Sequence, residues 1–206
     1  MPTSLIFDLD GTLWNACQTI AEAWEKVRQQ FQVDRSPITK KDVESICGLT
    51  TDQVFKIIFP NDYNNQKLID QCLSDQRDLL NIKGGELYPN VLEGIKALRL
   101  VKNLYIVSNC QTGYIETFIK VNNLEEVILD WACYGDIFAP KAENIKRLMT
   151  RNNITKAIYI GDTQGDKDAA KANDLPFVYC SYGFGTVDGS DYNISDFSEI
   201  KDINYA

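Results

Sequence analysis

Leu5-Ile6-Phe7-Asp8-Leu9-Asp10-Gly11-Thr12-Leu13 sets an apolar run against two carboxylates one residue apart, with a glycine and a threonine directly after them. The apolar part reads as a buried strand over residues 5–9. Side chains alternate along a strand, so Asp8 and Asp10 are expected to leave it on the same side. Two like charges held this close repel unless something offsets them. A divalent cation does so, and so does chemistry that keeps one carboxylate ionised and the other protonated. A strand ending in a polar turn is the simpler explanation for a lone Asp-x-Asp. Three more polar clusters at strand ends downstream weigh against it.

Outward from this stretch the periodicity divides the chain. Residues 15–31 predict an amphipathic helix, with Ile20, Ala23, Trp24, Val27 and Phe31 at helical spacing. A short helix over Asp42 to Ile46 stops at Gly48, another runs from Thr51 to Pro60, and a longer one covers 64–82 before Gly84-Gly85. No strand is expected between residues 15 and 82. Beyond it, helices over Pro89–Leu100, Tyr114–Val121, Pro140–Arg151 and Asp166–Asn173 alternate with strands over 104–108, 127–132, 157–160 and 177–180. The turn-rich tail from Gly183 carries one short strand and a final helix near 196–201. Alternation of this kind predicts the α/β class, a doubly wound, Rossmann-like parallel sheet. The expected organisation is a core of residues 1–14 and 83–206 interrupted by an α-helical insertion, 15–82.

Composition narrows the chemistry. The 206 residues are 44% hydrophobic and carry a net charge of −8, enough for a sizeable core and unfavourable for a nucleic-acid partner. A small phosphorylated metabolite needs only a local positive pocket and stays compatible. No basic run with an apolar segment opens the chain and no stretch is apolar enough to span a bilayer, so the expectation is a cytoplasmic protein with no membrane partner. Monomer and homodimer are both compatible with this composition. The six cysteines are scattered, which argues for reduced, buried thiols over disulfides or a zinc site. Histidine is absent, which excludes Ser-His-Asp and Cys-His catalysis and histidine-ligated metals. Carboxylates, lysine, hydroxyls, backbone amides and a hard metal ion remain.

Ligands of doubly wound sheets bind beyond the carboxyl ends of the strands. The polar clusters fall there: Asp8 and Asp10 after the first strand, Ser108-Asn109 after 104–108, and Gly161-Asp162-Thr163-Gln164-Gly165-Asp166 after 157–160. Lys141 opens a helix beside Pro140. Each alone has an ordinary explanation as a turn, a cap or a solvated charge. Their joint order does not.

In that order the chain resembles the haloacid dehalogenase-like (HAD) phosphohydrolases, in their phosphoglycolate-phosphatase-like branch. Asp8-Leu9-Asp10-Gly11-Thr12 matches the first motif of that family, Ser108 and Asn109 the second, Pro140-Lys141 the third, and Gly161-Asp162-Thr163 through Asp166 the fourth. Tyr88-Pro89-Asn90-Val91 resembles the entry from cap to core, and residues 15–82 look like the helical cap. Asn173 stands where many relatives have glycine, and Ser108-Asn109-Cys110-Gln111 departs from the Thr-Asn-Lys of many phosphoglycolate phosphatases.

The resemblance implies phosphoryl transfer through an aspartyl-phosphate. Asp8 is then the nucleophile, already ionised at neutral pH, and Asp10 the acid and base. Mg²⁺ is the implied cofactor, held by Asp8, Asp162 and Asp166 with the Asp10 backbone carbonyl. Ser108, Asn109 and Lys141 would hold the phosphoryl oxygens, with Lys141 also pinning Asp8 and assisting catalysis. Trp14, Gly48 and Thr50 are the candidates for substrate contact, and Cys110 is expected to pack without reacting. Phosphoglycolate, a sugar phosphate, pyrophosphate and a nucleotide all fit as substrates. A phosphomutase is the alternative within catalysis, and a binding module on an inactive scaffold the alternative outside it. A dehalogenase is disfavoured, because halide departure needs no general acid and Asp10 is present.

Overall fold

The computed structural model of the chain describes residues 3–203; the outermost residues of the expected core, 1–2 and 204–206, lie outside these. Strand β1 (Ser4–Phe7) is buried along its whole length. It pairs in parallel with β4 (Leu104–Ser108) on one side and β6 (Ala157–Gly161) on the other. The sheet continues outward to β5 (Asp130–Cys133) and, on the opposite side, to β7 (Phe177–Cys180) and β8 (Tyr192–Ile194), giving six strands in the order β5-β4-β1-β6-β7-β8. All pairs in this sheet are parallel. The chain therefore steps from β1 to one side, then returns to build the other. The crevice above the carboxyl end of β1 is the switch point where such sheets bind ligands.

Strand alternation sends Leu5 and Phe7 to one face and Ile6 to the other. On the first face lie α5 (Val91–Arg99), α6 (Tyr114–Val121) and a 3-10 turn (Phe197–Asp202), with the Phe7 and Phe197 rings stacked at 5.9 Å. On the second lie α8 (Lys141–Arg151) and α9 (Gln164–Lys171), which bury Ile145, Leu148, Ala169 and Ala170 with Ile6 and Tyr159. Burial on both faces explains why the central strands are apolar throughout.

Between β1 and β4 come α1 (Cys17–Gln30), α2 (Lys40–Glu44), α3 (Thr51–Ile58) and α4 (Gln66–Lys83). Their shared core is built on Trp24, Phe55 and Phe59, with ring centroids 5.6 and 5.9 Å apart in succession. The way in and the way out are joined. β2 (Trp14–Asn15) pairs antiparallel with β3 (Glu86–Leu87), and Thr19 Oγ1 donates to the Gly84 carbonyl at 2.9 Å. Asn15 is thus in a strand, where the sequence predicts helix; its Oδ1 accepts from Cys17 N at 3.0 Å and delays the helix start.

Other boundaries move for comparable reasons. Thr39 and Asp42 exchange hydrogen bonds in a capping box, so α2 begins at Lys40, ahead of Asp42. Thr163 and Asp166 do the same, so α9 starts before Asp166. Asn90 has φ +63° and starts α5 two residues after Pro89. Val127 and Ile128 close a turn onto the Leu124 carbonyl, so the strand expected over 127–132 is confined to Asp130–Cys133. The single turn α7 (Tyr134–Ile137) has no counterpart in the periodicity. All six cysteines are free, as expected; Cys17 and Cys47 bring their sulfurs to 3.5 Å.

Gly85 lies at the junction of insertion and core, where a Cβ would stand 2.7 Å from the Trp14 ring and 3.1 Å from the Ala16 Cα. Gly85→Ala is expected to cost about 1–3 kcal/mol of stability by overpacking. Gly165→Ala, whose Cβ would meet nothing nearer than 3.6 Å, is expected to cost nothing. Urea denaturation of both variants measures the difference.

Candidate active site

Asp8 follows β1 directly, and its amide donates to the Ile160 carbonyl at 2.8 Å, continuing the ladder to β6. Asp10 does not share a strand with it. The chain turns at Gly11, with φ +86°, and closes with Gly11 N donating to Trp14 O at 3.0 Å. A Cβ at Gly11 would sit 2.2 Å from Asp162 Oδ2, so only glycine fits this turn. The two carboxylates are consequently separated in environment.

Asp8 is 2% exposed and faces Lys141, whose Nζ donates to Asp8 Oδ1 at 2.9 Å and to Asp166 Oδ1 at 2.5 Å. Lys141 is the first residue of α8, which delivers the ammonium from the second face of the sheet. Asp162 follows β6 and is fully buried; its Oδ2 accepts from Phe184 N at 2.8 Å. Asp166, also fully buried, caps α9: Oδ2 accepts from Thr163 N and Oγ1 at 3.0 and 2.6 Å. Tyr159 OH donates to the Val107 carbonyl at 2.8 Å and lies 3.3 Å from the other oxygen of Asp166. Asp8, Asp162 and Asp166 offer carboxylate oxygens all within 4.8 Å of one another.

Burial and the neighbouring Asp166 push the Asp8 carboxyl up to about 6, against the pull of Lys141. Burial, with Asp166 and Asp8 adding, holds Asp162 well above the carboxylate range. Burial disfavours the Lys141 ammonium, but Asp166 and Asp8 outweigh it and keep the group charged. One lysine among three buried aspartates leaves an excess of negative charge. That is the setting for a hard divalent cation, and the all-oxygen donor set suits Mg²⁺.

Asp10 is turned elsewhere, onto Tyr114, whose hydroxyl donates to its Oδ1 at 2.7 Å. Burial raises its carboxyl to about 7; the Tyr114 hydrogen bond only partly opposes this, and Asp8 adds to it. Trp14 is fully buried against Tyr114 and Phe118, at ring distances of 5.5 and 5.1 Å. It backs the tyrosine and does not line the chamber over the site, contrary to the expectation of substrate contact. Its buried indole N–H lies beside Asp10 and, with the Tyr114 hydroxyl, favours the charged form of that carboxyl.

Asp8, Asp10, Ser108 and Asn109 line one chamber, together with side chains of α1, α3 and α4 and the Ile46–Leu49 loop. Ser108 is buried at the end of β4. The side chain of Asn109 bridges to the insertion, its Nδ2 donating to the Gly48 carbonyl at 2.8 Å. Gly48 lines the chamber, whereas Thr50 does not: it caps α3, with its N–H donating to Gln53 Oε1 at 3.0 Å. Burial raises the Cys110 thiol well above its ordinary range, which disfavours the thiolate.

Sequence reasoning missed Tyr114, Tyr159 and Gln76. The tyrosines read as apolar helix and strand positions, and only their hydroxyls reach carboxylates. Gln76 carried a legible signal. It falls in the four-residue series Leu68, Cys72, Gln76, Leu80 on the buried stripe of α4, where a polar side chain is out of place.

Comparison with known proteins agrees with this architecture. The model of the haloacid dehalogenase-like hydrolase family matches residues 5–180. The pyrophosphatase PpaX of Listeria innocua is 30% identical over 177 residues, covering 82% of this chain and 78% of its own. A phosphoglycolate phosphatase of Photobacterium profundum is 24% identical over 218 residues, covering 97% and 94%. Among solved structures, one described as a predicted phosphoglycolate phosphatase from Haemophilus somnus superposes with a TM-score of 0.82 at 18% identity, covering 97% of this chain and 96% of that one. With its doubly wound sheet, its insertion after the first strand and its motif residues gathered above the carboxyl end of β1, this chain belongs to the haloacid dehalogenase-like hydrolase family.

Proposed function

We propose that the chain is a Mg²⁺-dependent phosphatase that hydrolyses a small phosphate monoester through an aspartyl-phosphate. The observation that carries this reading is the division of the two motif aspartates. Asp8 is clamped by Lys141 among carboxylates, while Asp10 stands apart on Tyr114 with its pKa raised to about 7. A nucleophile must be ionised and a general acid must hold its proton near neutral pH, and the two environments differ in that sense. With its pKa near 6, Asp8 is ionised at neutral pH by a narrower margin than an ordinary aspartate. The relatives named pyrophosphatase and phosphoglycolate phosphatase support phosphoryl chemistry.

In the first half-reaction a carboxylate oxygen of Asp8 attacks phosphorus and the ester oxygen departs with the proton of Asp10, as an alcohol. In the second, water attacks the acyl phosphate and Asp10 takes its proton. The bond from phosphorus to Asp8 breaks, releasing inorganic phosphate and restoring both aspartates. Lys141 holds Asp8 in one orientation, and Ser108 with the Asn109 backbone amide receives phosphoryl oxygens. Bound by Asp8, Asp162, Asp166 and the Asp10 carbonyl, Mg²⁺ supplies the positive charge that lets an anionic ester approach this acidic site. Residues 15–82 serve as the cap that closes over the substrate and excludes bulk water.

Phosphate release from a panel of monoesters, with Mg²⁺ or with chelator, tests the reading. Activity is expected only with the metal, and Asp8→Asn is expected to lose roughly a thousandfold or more. Metal-independent turnover or an active Asp8→Asn variant overturns it. Asp10→Asn is expected to lose about 10²–10⁴-fold on an alkyl phosphate and much less on an aryl phosphate, whose oxygen leaves without a proton.

The raised pKa of Asp10 also predicts a pH signature in the chelated protein. The folded state keeps the Asp10 proton up to about pH 7, while the unfolded chain releases it near the ordinary value of 3.8. The folded state thus binds more protons in this window, and Asp10 lowers stability progressively as pH rises through it. Relative to wild type, Asp10→Asn should melt at a higher temperature at pH 8 than at pH 4.5. An unchanged difference between the two pH values refutes the raised pKa.

A further inference from the structure

The chamber over the candidate site, about 80 Å³, has walls that carry information about the leaving group. Ile20 and Trp24 come from α1, Val54 and Phe55 from α3, Leu73 and Gln76 from α4. Asp8 and Asp10 are the only charged side chains among the described residues that line it; no lysine or arginine does. Lys56 and Arg77 line the wider adjoining groove and are exposed. The first turn of α3 borders the chamber through Thr51, but it carries the carboxylate of Asp52, which accepts from Tyr134 OH at 3.1 Å. A second anionic group close to the scissile ester would therefore be desolvated beside Asp10 with no cation to meet it.

Gln76 supplies the one built polar feature on the helical wall. It is 3% exposed, and its Oε1 accepts from Trp24 Nε1 at 3.0 Å. An indole N–H only donates, so it takes the oxygen end of the amide and fixes which way the group faces. The Nε2 hydrogens are left with no hydrogen-bond partner among the described residues, on a side chain that lines the chamber. An oriented amide donor on the wall of the chamber, with no protein group to receive its hydrogens, is open to an acceptor on the ligand.

We propose that this site takes the phosphate ester of a small, uncharged alcohol bearing a hydrogen-bond-accepting oxygen, and that Gln76, oriented by Trp24, is the residue that selects it. The inference rests on the phosphatase reading above and narrows it. It also sets this chain apart from relatives named for pyrophosphate and phosphoglycolate, which both place a second anionic group next to the scissile bond.

The test compares kcat/KM of the full-length, Mg²⁺-loaded protein on four compounds: 2-hydroxypropyl phosphate, n-propyl phosphate, phosphoglycolate and pyrophosphate. The hydroxyl-bearing neutral ester is expected to exceed n-propyl phosphate by about tenfold to a hundredfold, the worth of one buried hydrogen bond, and to exceed both anionic compounds. Gln76→Leu is expected to collapse the ratio between the two neutral esters. Trp24→Phe, which frees the amide to rotate, is expected to reduce that ratio in part and covers the case in which Gln76→Leu does not fold. A preference for phosphoglycolate or pyrophosphate overturns the inference and leaves the phosphatase reading standing. A neutral-ester ratio unmoved by both variants overturns the role of Gln76. Failure on all four compounds with turnover elsewhere in the monoester panel overturns the inference alone, and failure across the whole panel overturns the phosphatase reading as well.

Discussion

The contact between Lys141 and the two aspartates Asp8 and Asp166 is the constraint on which the rest depends. Three carboxylates cannot be buried together at a strand end without a countercharge. Lys141 provides one from α8, Asp8 arrives from β1, and Asp166 from the first turn of α9. The ion pairs join elements far apart in sequence, so the site forms only when the sheet has its final order. β1 must lie between β4 and β6 for these groups to meet, and that placement is also what a parallel, right-handed α/β topology allows.

The arrangement is costly as well as useful. Asp8, Asp10 and Asp162 all have their pKa raised chiefly by burial, so each disfavours the charged folded state. The chain offsets this locally, with the Thr163–Asp166 capping box, the Phe184 amide on Asp162 and the Tyr114 hydroxyl on Asp10. The apolar layers of the sheet, Leu5 and Phe7 on one face and Ile6 with Tyr159 on the other, hold the acidic cluster in place. Stability is concentrated in these layers and spent at the ends of the strands.

The core was readable because each signal was local. Apolar runs of four or five residues between helical periods marked β1, β4, β6 and β7, and polar clusters after three of them marked the candidate site. Boundaries slipped where a single residue decides them, as with the side chains of Thr39 before α2 and Asn15 before α1 and the left-handed backbone of Asn90 before α5. The support of the site was less legible. Tyr114 reaches Asp10 across 104 positions and Gln76 meets Trp24 across 52, and no periodicity encodes such pairings. Trp14 illustrates the opposite error: proximity to the motif in sequence suggested contact with substrate, but the turn at Gly11 folds its ring behind the site.

The short β2–β3 ladder changes what the helical insertion means for the sheet. Because Trp14 pairs with Leu87 and Asn15 with Glu86, the chain leaves and re-enters the core at neighbouring points. The helices between them span, from the sheet's standpoint, no more than the tip of a hairpin. An excursion with adjacent ends imposes no stretch on the strands it interrupts, and loop-closure entropy grows only slowly with its length. The helical segment is thereby free to vary in size and shape while β1 and β4 stay in register. The fold separates a part that must be conserved in geometry from a part that can be exchanged whole.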